Sequence, residues 1–304
     1  MLKIVFLGTA GSFPTSKRNP SCVFVNHEGE LLLFDCGEGA QKRMMQAKCG
    51  MLNISSIFIT HFHADHILGI PGLIQTLSFN SRKQPLVIYG PKGVEWFVKL
   101  FVALGHFKPC FDVRSVEVSG GDIIERTGYR VEVFETTHGV ASVGYALVED
   151  ERPGRFNRER AIALGIPQGP LFKKLHRGEC VEINGRTIHP EEVVGIKRHG
   201  RKIVYTGDTR PTTETVRAAK NADVLIHDGS MADELADWAY QTKHSTASEA
   251  AGVARDANVR LLVLTHVSAR YSKSSDVLLA DAKKVFENTI VAYDLMEFEV
   301  PYSD

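Results

Sequence analysis

Four side chains that can bind metal ions lie within six consecutive residues of this sequence: His61, His63, Asp65 and His66. They follow an apolar run over residues 57–60, which we predict to end a strand. In an extended chain residues i and i+2 face the same side, so His61 and His63 can bind one ion together. Asp65 and His66 lie at the predicted start of a helix and can point toward a second ion. Zinc accepts neutral imidazole and carboxylate ligands, so the pattern predicts a zinc-type site.

Three more residues of ligand type each follow an apolar strand: His138, Asp208 and His266. Taken singly, each could be a hydrogen-bonded core residue. Burying several titratable groups together costs several kcal/mol unless ions or hydrogen bonds satisfy them, which makes that explanation poor for the whole set. Open sheets tend to place their sites at the carboxyl ends of strands. We therefore expect these three side chains to join the first four at one edge.

The apolar periodicity predicts strands and helices that alternate around these residues. Strands are predicted over 3–7, 22–25, 31–35, 56–60, 86–89, 129–136, 142–148, 202–206, 224–227, 260–265 and 290–298. Helices are predicted over 40–47, 67–78, 94–104, 213–219, 247–257 and 275–287. Thr246 and Glu249 have capping-box spacing, which marks a helix start. Hairpins come first and β-α alternation follows, which predicts sheets packed between helices.

One segment, residues 150–179, has no clean period and contains several Gly and Pro residues. From 151 to 180 it carries seven basic residues against three acidic ones. A long irregular insertion of this kind is usually functional or disordered, and a solvated linker is the plain alternative. Apolar residues recur through it and indicate partial order: Phe156, Ile162, Leu164, Leu171, Phe172 and Leu175. We predict a single domain over 1–304 that carries this basic arm as an insertion.

The composition limits which binding partners and which cellular compartment we expect. The 36 Lys and Arg residues equal the 36 Asp and Glu residues, so an anionic partner must meet a local patch. The five cysteines have no CxxC spacing, which disfavours disulfides; we expect small buried apolar residues in a reducing cytosol. The apolar run over residues 1–7 is too short for a signal peptide, and no apolar stretch of about 18 residues could span a membrane. We therefore expect a cytoplasmic protein without a membrane segment.

The HxHxDH motif with downstream His, Asp and His resembles the metallo-β-lactamase superfamily. The resemblance implies an α/β (α+β) fold, the αββα sandwich. It also implies two groups of ligands joined by a bridging carboxylate: His61, His63 and His138 on one ion, Asp65, His66 and His266 on the other, and Asp208 between them. The expected cofactor is two Zn²⁺ per subunit, with Mn²⁺ or Fe²⁺ left open because affinity order alone does not decide which metal is loaded.

Three further segments narrow the resemblance to the ribonuclease Z family. Residues 14–19, Pro-Thr-Ser-Lys-Arg-Asn, are similar to its Pro-Arg-Asn loop. Residues 154–178 resemble its flexible arm, which grips the tRNA elbow away from the catalytic site. Residues 244–246 resemble its His-Ser-Thr loop. The resemblance implies a homodimeric, zinc-dependent endoribonuclease that removes the 3′ trailer of precursor tRNA, leaving a 3′-hydroxyl on the tRNA and a 5′-phosphate on the trailer.

Individual residues can be given roles within such a site. Asp65 is the candidate to orient or deprotonate the attacking water, although a ligand role alone would explain it. His244 is the candidate to protonate the leaving oxygen, with a surface or capping histidine as the alternative. A basic arm can bind phosphates without sequence preference. The expected RNA contacts are Arg18, Asn19 and Lys17 beside the scissile bond, and Arg155, Lys173 and Lys174 on the arm.

Two carboxylates are candidates to position other groups. Asp228 stands in the run Ile-His-Asp-Gly-Ser over 226–230, where the family often has His-Glu-Ala-Thr. It could orient His244 as the glutamate does, but its side chain is one methylene shorter. Asp35 would fix the geometry of a ligand, and turn formation beside Gly37 is an equal alternative.

Two other functions stay open on the sequence alone. Another hydrolase of the same fold could act on a small phosphodiester or a thioester. A non-catalytic RNA-binding protein could have kept the fold, although the intact set of ligand-type residues argues against that reading.

Overall fold

The computed structural model describes residues 1–105 and 107–302. Two seven-stranded sheets hold most of the strands. The strands are β1 Leu2–Gly8, β2 Cys22–His27, β3 Glu30–Phe34, β4 Ile54–Phe58, β5 Leu86–Gly90, β6 Val113–Glu117, β7 Ile123–Arg126, β8 Tyr129–Glu135, β9 Val143–Glu149, β10 Val181–Ile183, β11 Arg186–Ile188, β12 Lys202–Tyr205, β13 Val224–Asp228, β14 Leu261–Thr265, β15 Thr289–Val291 and β16 Glu297–Glu299. The helices are α1 Ala40–Ala47, α2 Ala64–Ile67, α3 Gly69–Phe79, α4 Val94–Ala103, α5 Arg158–Ala163, α6 Pro170–His176, α7 Thr213–Ala218, α8 Ala236–Thr242, α9 Ala247–Asp256 and α10 Asp276–Lys283.

The first sheet has the order β16-β1-β2-β3-β4-β5-β6, and the second has the order β15-β14-β13-β12-β9-β8-β7. Strands β3 to β6 are parallel neighbours in the first sheet. Strands β12 to β15 are parallel neighbours in the second. Parallel neighbours bring several strand carboxyl ends to the same edge of each sheet, and the residues of ligand type follow those ends.

Alternate residues of the central strands face two different cores. In β1, Ile4 and Phe6 belong to the apolar cluster between the sheets, whereas Val5 and Leu7 belong to the cluster beneath α1, α3 and α4. A third cluster lies between the second sheet and α7, α9 and α10. Side chains alternate between the two faces of a strand, so a strand buried on both faces is apolar throughout. The result is the predicted αββα sandwich.

The single strand predicted over 290–298 is wrong, because two short strands in different sheets occupy it. The Ala292 N–H donates to the Leu264 carbonyl in the second sheet, whereas the Leu295 N–H donates to the Phe6 carbonyl in the first. Leu295 turns the chain in the left-handed region at φ 68°. Both halves face the same core between the sheets, so the apolar pattern continues across the turn and hides it.

Other differences arise where the local pattern is weak. The helix predicted over 67–78 corresponds to α3, which begins at Gly69, and a separate short helix, α2, ends just before it at Ile67. The sequence patterns do not predict the edge strands β6 and β7. Three of the five β6 residues are exposed, so this strand lacks the apolar run that marks a central strand.

The arm is a folded unit that continues past residue 179. Helices α5 and α6 and the β10–β11 hairpin enclose a small apolar cluster: Ala161, Ile166, Leu175, Val181, Ile188 and Val193. Backbone bridges pair Arg152 with Arg198 and Phe156 with Val194, so the unit closes at about residue 198. The expected partial order is present, and the expected end at 179 is too early because later residues complete the cluster.

The five cysteines all lie in the described part of the chain and are free. Cys22, Cys36 and Cys49 are buried as expected. Cys110 and Cys180 are exposed, so the expectation of burial is wrong for these two. No helix within residues 1–105 and 107–302 has the length and apolar character needed to cross a bilayer.

Candidate metal centre

The first group of ligand-type side chains comprises His61, His63, His138 and Asp208. His63 Nδ1 lies 2.9 Å from His61 Nε2 and 3.2 Å from His138 Nε2. Asp208 Oδ2 lies 3.7 Å from His61 Nε2 and 3.8 Å from His138 Nε2. Three ring nitrogens and a carboxylate oxygen therefore converge on one small space.

The second group comprises Asp65, His66 and His266. Asp65 Oδ2 lies 3.3 Å from His266 Nε2 and 3.5 Å from His66 Nε2. Asp208 adjoins this group as well, with Oδ1 3.3 Å from His66 Nε2 and Oδ2 3.2 Å from His266 Nε2. The structure thus brings all seven side chains together, with Asp208 between the two expected groups. Asp208 and His266 also form a third group of ligand-type atoms with Asp228 and His244.

Two polar atoms indicate that these groups suit cations. His66 Nε2 and Asp208 Oδ1 are fully buried and lie 3.3 Å apart, but neither makes a hydrogen bond of good geometry within the described residues. A buried polar atom without a partner costs about 1–3 kcal/mol, and more when the group is charged. A divalent ion bound by both atoms would remove that cost, so the donor set fits two metal ions with nitrogen and oxygen ligands.

Burial and neighbouring charges set the protonation of the ligands. Burial, followed by the adjacent imidazole of His66, lowers the pKa of His61 well below its usual value. Burial alone would raise the pKa of Asp208, but His266 and His66 outweigh it and hold that pKa well below its usual value. These two shifts favour the neutral imidazole and the ionised carboxylate, which are the forms that bind metal. Burial opposes the imidazolium form of His66, but Asp208 and Asp35 outweigh it and raise the pKa of His66 well above its usual value, so an ion would have to displace a proton there.

The strands position five of the ligands, which stand just beyond strand ends, whereas Asp65 and His66 lie on the short helix α2 that follows β4. His61 and His63 follow β4, and His138 follows β8. Asp208 and His266 follow β12 and β14. Ligands therefore come from both sheets and meet at the shared edge of the sandwich.

Gly207 sets the direction of the chain at Asp208, the carboxylate that is expected to bridge the two ions. It has φ 60°, in the left-handed region that favours glycine. A Cβ at this position would lie 2.6 Å from Thr60 Oγ1, a contact that real side chains do not make. Only glycine lets this turn pass close to Thr60, which immediately precedes His61.

Asp35 is buried beneath the centre and accepts several hydrogen bonds. Its oxygens accept from the Thr60 N–H at 2.7 Å and from the Tyr205 hydroxyl at 2.8 Å. His66 Nδ1 lies 2.7 Å from Asp35 Oδ2, so Asp35 holds the ring whose Nε2 faces the metal space. The turn explanation also has support, because Asp35 has φ 55°. The sequence analysis missed Tyr205. The available signal was a tyrosine within an apolar central strand, because its hydroxyl needs a hydrogen-bond partner when the strand is buried.

Two further ligand rings are held at the nitrogen that faces away from the metal space. Ser230 Oγ lies 2.9 Å from His266 Nδ1, and the Lys243 carbonyl lies 3.0 Å from His138 Nδ1. His266 itself has φ 58°, a conformation that costs roughly 1–2 kcal/mol outside glycine. The sequence analysis missed Ser230 and Lys243, because neither contact follows from spacing along the chain.

His244 and Asp228 form a pair at the border of the second group. Asp228 Oδ2 lies 2.8 Å from His244 Nδ1, so the carboxylate reaches the ring in spite of its shorter side chain. Burial disfavours the imidazolium form, but the charge and hydrogen bond of Asp228 outweigh it and raise the pKa of His244 to about 9. The paired ring can therefore carry a proton beside the metal space.

Arg18 requires a correction, because its guanidinium is buried and used inside the protein. It donates to the Thr9 hydroxyl at 2.7 Å and to the Ala292 carbonyl at 2.5 Å. Burial also lowers the pKa of Arg18, although Asp294 opposes the shift. Arg18 therefore ties its loop to the turn after β15 and is not placed to receive a phosphate.

The other expected RNA contacts differ in their exposure. The Asn19 side chain donates to the Glu38 carbonyl at 3.4 Å and accepts from Arg43 Nε at 3.3 Å, so Asn19 belongs to the framework of its loop. Lys17 is exposed on the same loop. The arm residues Arg155, Lys173 and Lys174 are exposed as well.

A four-layer sandwich with paired His and Asp groups at its strand ends defines a hydrolase of the metallo-β-lactamase fold. A family model described as a beta-lactamase superfamily domain matches residues 174–267. A model described as anti-Pycsar protein Apyc1 matches residues 2–152. These matches agree with the fold and with the expectation drawn from the HxHxDH motif.

The full-length relatives are more specific. The chain is 59% identical to ribonuclease Z of Methanosarcina acetivorans, over 99% of both chains. It is 52% identical to ribonuclease Z of Archaeoglobus fulgidus, over 100% of this chain and 99% of the other. Human tRNase Z, short form, superposes with a TM-score of 0.72 at 28% identity, covering 98% of this chain and 99% of that one. The chain belongs to the ribonuclease Z family.

Proposed function

We propose that this chain is an endoribonuclease that cuts the 3′ trailer from precursor tRNA with the help of two divalent metal ions. Its full-length relatives are named ribonuclease Z, and the human structure that it resembles is named tRNase Z. One observation carries the proposal: seven His and Asp side chains from both sheets converge beside the His244–Asp228 pair. The family relationship favours this function over a thioester hydrolase or a non-catalytic RNA-binding protein.

The donor set supports a particular division of the ligands. We assign His61, His63 and His138 to one ion, Asp65, His66 and His266 to the other, and Asp208 to both. Imidazole and carboxylate suit Zn²⁺, and Mn²⁺ or Fe²⁺ can use the same ligands. When bound, a pair of such ions lowers the pKa of water to about 7 and stabilises charge on a phosphoryl group.

The chain's own groups then orient the water and move the proton. Asp65 Oδ2 accepts from the Ser12 N–H at 2.9 Å, which fixes the carboxylate where it can orient the attacking water. The water gives one proton to the solvent, and as its oxygen bonds to phosphorus, the bond from phosphorus to the 3′-oxygen of the tRNA breaks. His244 gives that oxygen a proton. The products are a tRNA 3′-hydroxyl and a trailer 5′-phosphate, and Asp228 holds the ring during the transfer.

Exposed basic residues support binding of the RNA backbone at two places. Lys17 lies on the loop between β1 and β2, and Ser12 on the same loop contacts Asp65. Lys17 can therefore meet a phosphate near the scissile bond. Arg155, Lys173 and Lys174 lie on the arm, which can grip folded RNA by its shape. Binding of this kind weakens steeply as the salt concentration rises.

We also propose that the chain forms a homodimer and works in the cytoplasm. The homodimer rests on the family resemblance, in which the arm of one subunit serves the site of the other. The free cysteines fit a reducing compartment. Light scattering on the purified protein is expected to give twice the mass of the chain, and a monomer at micromolar concentration would remove the homodimer.

The experiment for the activity uses the purified metal-loaded protein and a precursor tRNA with a short labelled trailer. Sequencing of both released fragments is expected to show one cut, at the 3′ end of the tRNA, with a 3′-hydroxyl upstream and a 5′-phosphate downstream. A chelator is expected to abolish the cut, and added Zn²⁺ to restore it. Metal analysis is expected to find two ions per chain.

The matched control is the exposed Asp256→Ala variant, which leaves the centre intact and should cut like the wild type. Full activity in chelator, or cuts scattered through the RNA, would contradict the proposal. A single cut by a protein with only one bound ion would support the endoribonuclease activity but contradict the assignment of two ions.

A further inference from the structure

A cleft of about 520 Å³ adjoins the metal centre, and His244 and His266 form part of its wall. Its volume lies in the range of small-molecule sites, roughly 300–1,000 Å³. Phe13 and Trp238 also line it, and they remain 59% and 46% exposed. Neither the ligand set nor the proton transfer uses these two aromatic side chains, so their exposure beside the centre needs another explanation.

Trp238 is fixed relative to His244 because both belong to one short stretch of chain. Trp238 lies on α8, and the Thr242 hydroxyl donates to its carbonyl at 2.8 Å. The helix ends at Thr242, Lys243 caps it, and the His244 N–H then donates to the Ala239 carbonyl at 2.8 Å. A group that stacks on Trp238 is therefore held at a set position from the His244 ring.

Phe13 is fixed relative to the metal ligands in a similar way. Its N–H donates to the Gly11 carbonyl at 2.8 Å, and the neighbouring Ser12 N–H donates to Asp65. A Cβ at Gly11 would lie 2.7 Å from His266 Nδ1, so this loop packs directly on a ligand ring. The two aromatic side chains thus border the cleft from separate segments, each tied to the centre.

The direction of the reaction decides which nucleotide meets the cleft. In the proposed function, His244 protonates the oxygen that leaves phosphorus, and this oxygen belongs to the last nucleotide kept on the tRNA. That nucleotide therefore lies on the His244 side of the scissile phosphate, where the cleft opens. The first trailer nucleotide lies on the other side of the phosphorus.

We propose that the base of the last nucleotide retained on the tRNA leaves the helical stack and packs against Trp238 and Phe13 in this cleft. This inference rests on the proposed function and adds a positioning contact to it. Single-stranded bases are commonly bound on exposed aromatic rings, which accept any base. The stacked base fixes the scissile phosphate, and so sets which bond reaches the metal centre.

A double-mutant cycle on the metal-loaded enzyme tests the contact. Trp238→Ala is expected to lower kcat/KM for precursor tRNA roughly tenfold, within the range reported for loss of one stacked base. A precursor that is abasic at the last retained nucleotide is expected to lower kcat/KM of the wild type by a similar factor. Combining the two changes should cost no more than either alone, and Trp238→Phe should recover most of the loss.

Fluorescence gives a reading that does not depend on turnover. The chain has two tryptophans, so Trp96→Phe leaves Trp238 as the single tryptophan, which light at the long-wavelength edge of its absorption excites without the tyrosines. Trp96 lies on α4 outside the cleft, and this variant is expected to cut like the wild type. Product tRNA is expected to quench the Trp238 emission, and product that is abasic at its 3′ end is expected to quench it much less.

The outcomes separate this inference from the proposed function. If the wild type fails to cut precursor tRNA, the proposed function itself is wrong. If it cuts, but the losses from Trp238→Ala and the abasic site multiply, the base does not stack on Trp238. Coupling that appears only when the first trailer nucleotide is abasic would assign the cleft to the trailer and overturn the proposal.

Discussion

Asp228 reaches His244 because both of its oxygens are fixed by the backbone around it. Oδ1 accepts from the Ser230 N–H at 3.0 Å, and Oδ2 accepts from the Thr209 N–H at 3.2 Å. The carboxylate is fully buried, so it cannot rotate away to water. A preset orientation of this kind compensates for the methylene that aspartate lacks relative to glutamate.

Replacement of His244 tests its assignment as the proton donor. The variant His244→Ala is expected to keep both metal ions, because no assigned ligand is removed, and to lose turnover by roughly 10²–10⁴-fold, as for loss of a general acid. Metal analysis and the precursor-cutting assay measure the two effects. Surviving turnover would show that His244 is not the acid, and loss of metal would make it a ligand.

Replacement of Asp35 tests a positioning role rather than a ligand role. Asp35→Asn keeps the shape but weakens the contact to His66 Nδ1, so metal affinity is expected to fall roughly 10–100-fold. Competition with a chromogenic chelator measures the affinity. Tyr205→Phe, which removes one hydrogen bond to the same carboxylate, is the milder matched variant. Unchanged metal affinity in Asp35→Asn would reduce Asp35 to a turn residue.

At the next scale, the arm is an element with its own small core, and this changes how it can be removed. A cut at residue 176 or 179 would expose the cluster that Val181, Ile188 and Val193 complete. The N–H of Arg152 donates to the Arg198 carbonyl at 2.8 Å, and the N–H of Arg198 donates back at 2.9 Å. The two ends of the unit are therefore adjacent and can be joined by a tight turn.

We expect replacement of residues 154–196 by a two-residue Asn-Gly turn to separate tRNA binding from catalysis. The sandwich keeps its clusters, so the thermal midpoint should stay within a few degrees. Precursor binding is expected to fall strongly, whereas hydrolysis of a small chromogenic phosphodiester should persist. A filter-binding titration and the chromogenic assay measure these effects. Equal loss of both activities would mean that the arm supports the fold of the catalytic part.

A second contact between elements joins the end of β9 to the segment just before β12. Arg201 Nε and Nη2 donate to the Glu149 carboxylate at 2.9 and 2.6 Å, and His27 Nε2 lies 2.9 Å from it. Burial alone would raise the pKa of Glu149, but hydrogen bonds from His27 and Arg201 outweigh it and lower that pKa to about 2. The carboxylate therefore stabilises the folded chain only in its ionised form.

The depressed pKa gives a pH prediction with a defined sign. Stability from Glu149 is present above its unfolded pKa, about 4.5, and is lost as the pH falls toward 2. The difference corresponds to about 3 kcal/mol. Denaturant unfolding is expected to show a shallower acid dependence between pH 5 and 2 for Glu149→Gln than for the wild type. Glu287→Gln, at an exposed ion pair, is the control, and equal slopes for all three proteins would contradict the assignment.

For the whole molecule, the candidate metal centre lies where the two sheets meet. His61, His63 and His66 follow the first sheet, whereas Asp208 and His266 follow the second. Ions bound by ligands from both sheets would hold them together at one edge. The chain has a net charge of zero. The attraction between the cations and the centre would therefore come from the nearby carboxylates and not from the net charge of the chain.

Metal removal is therefore expected to destabilise the whole sandwich. A ligand that binds only the folded state at a thousand times its Kd adds about 4 kcal/mol, so a chelator should lower Tm by several degrees. Asp208→Ala should lose both metal and activity, and its Tm should no longer respond to the chelator. Calorimetry with and without chelator measures the shift. Retained stoichiometric metal in Asp208→Ala would remove Asp208 from the bridge.

The sequence by itself determined the strand cores and the identity of the ligand-type residues. Periodicity is local information, so the central strands and the helix α1 agree closely with the predictions. Five of the candidate ligands could be named because they stand shortly after an apolar run, where a strand end can be read from neighbouring residues. Asp65 and His66 could be named because they complete the same short motif as His61 and His63.

Only the tertiary structure decided which hydrogen-bond partners fix those residues and which polar side chains are buried. Arg18 looks like a free cation in the sequence, yet its partners Thr9 and Ala292 lie at opposite ends of the chain. The same holds for Tyr205 on Asp35, Ser230 on His266, and the crossing of 290–298 between sheets. These contacts join distant segments, and no local spacing encodes them, because they depend on how two sheets and three apolar clusters pack together.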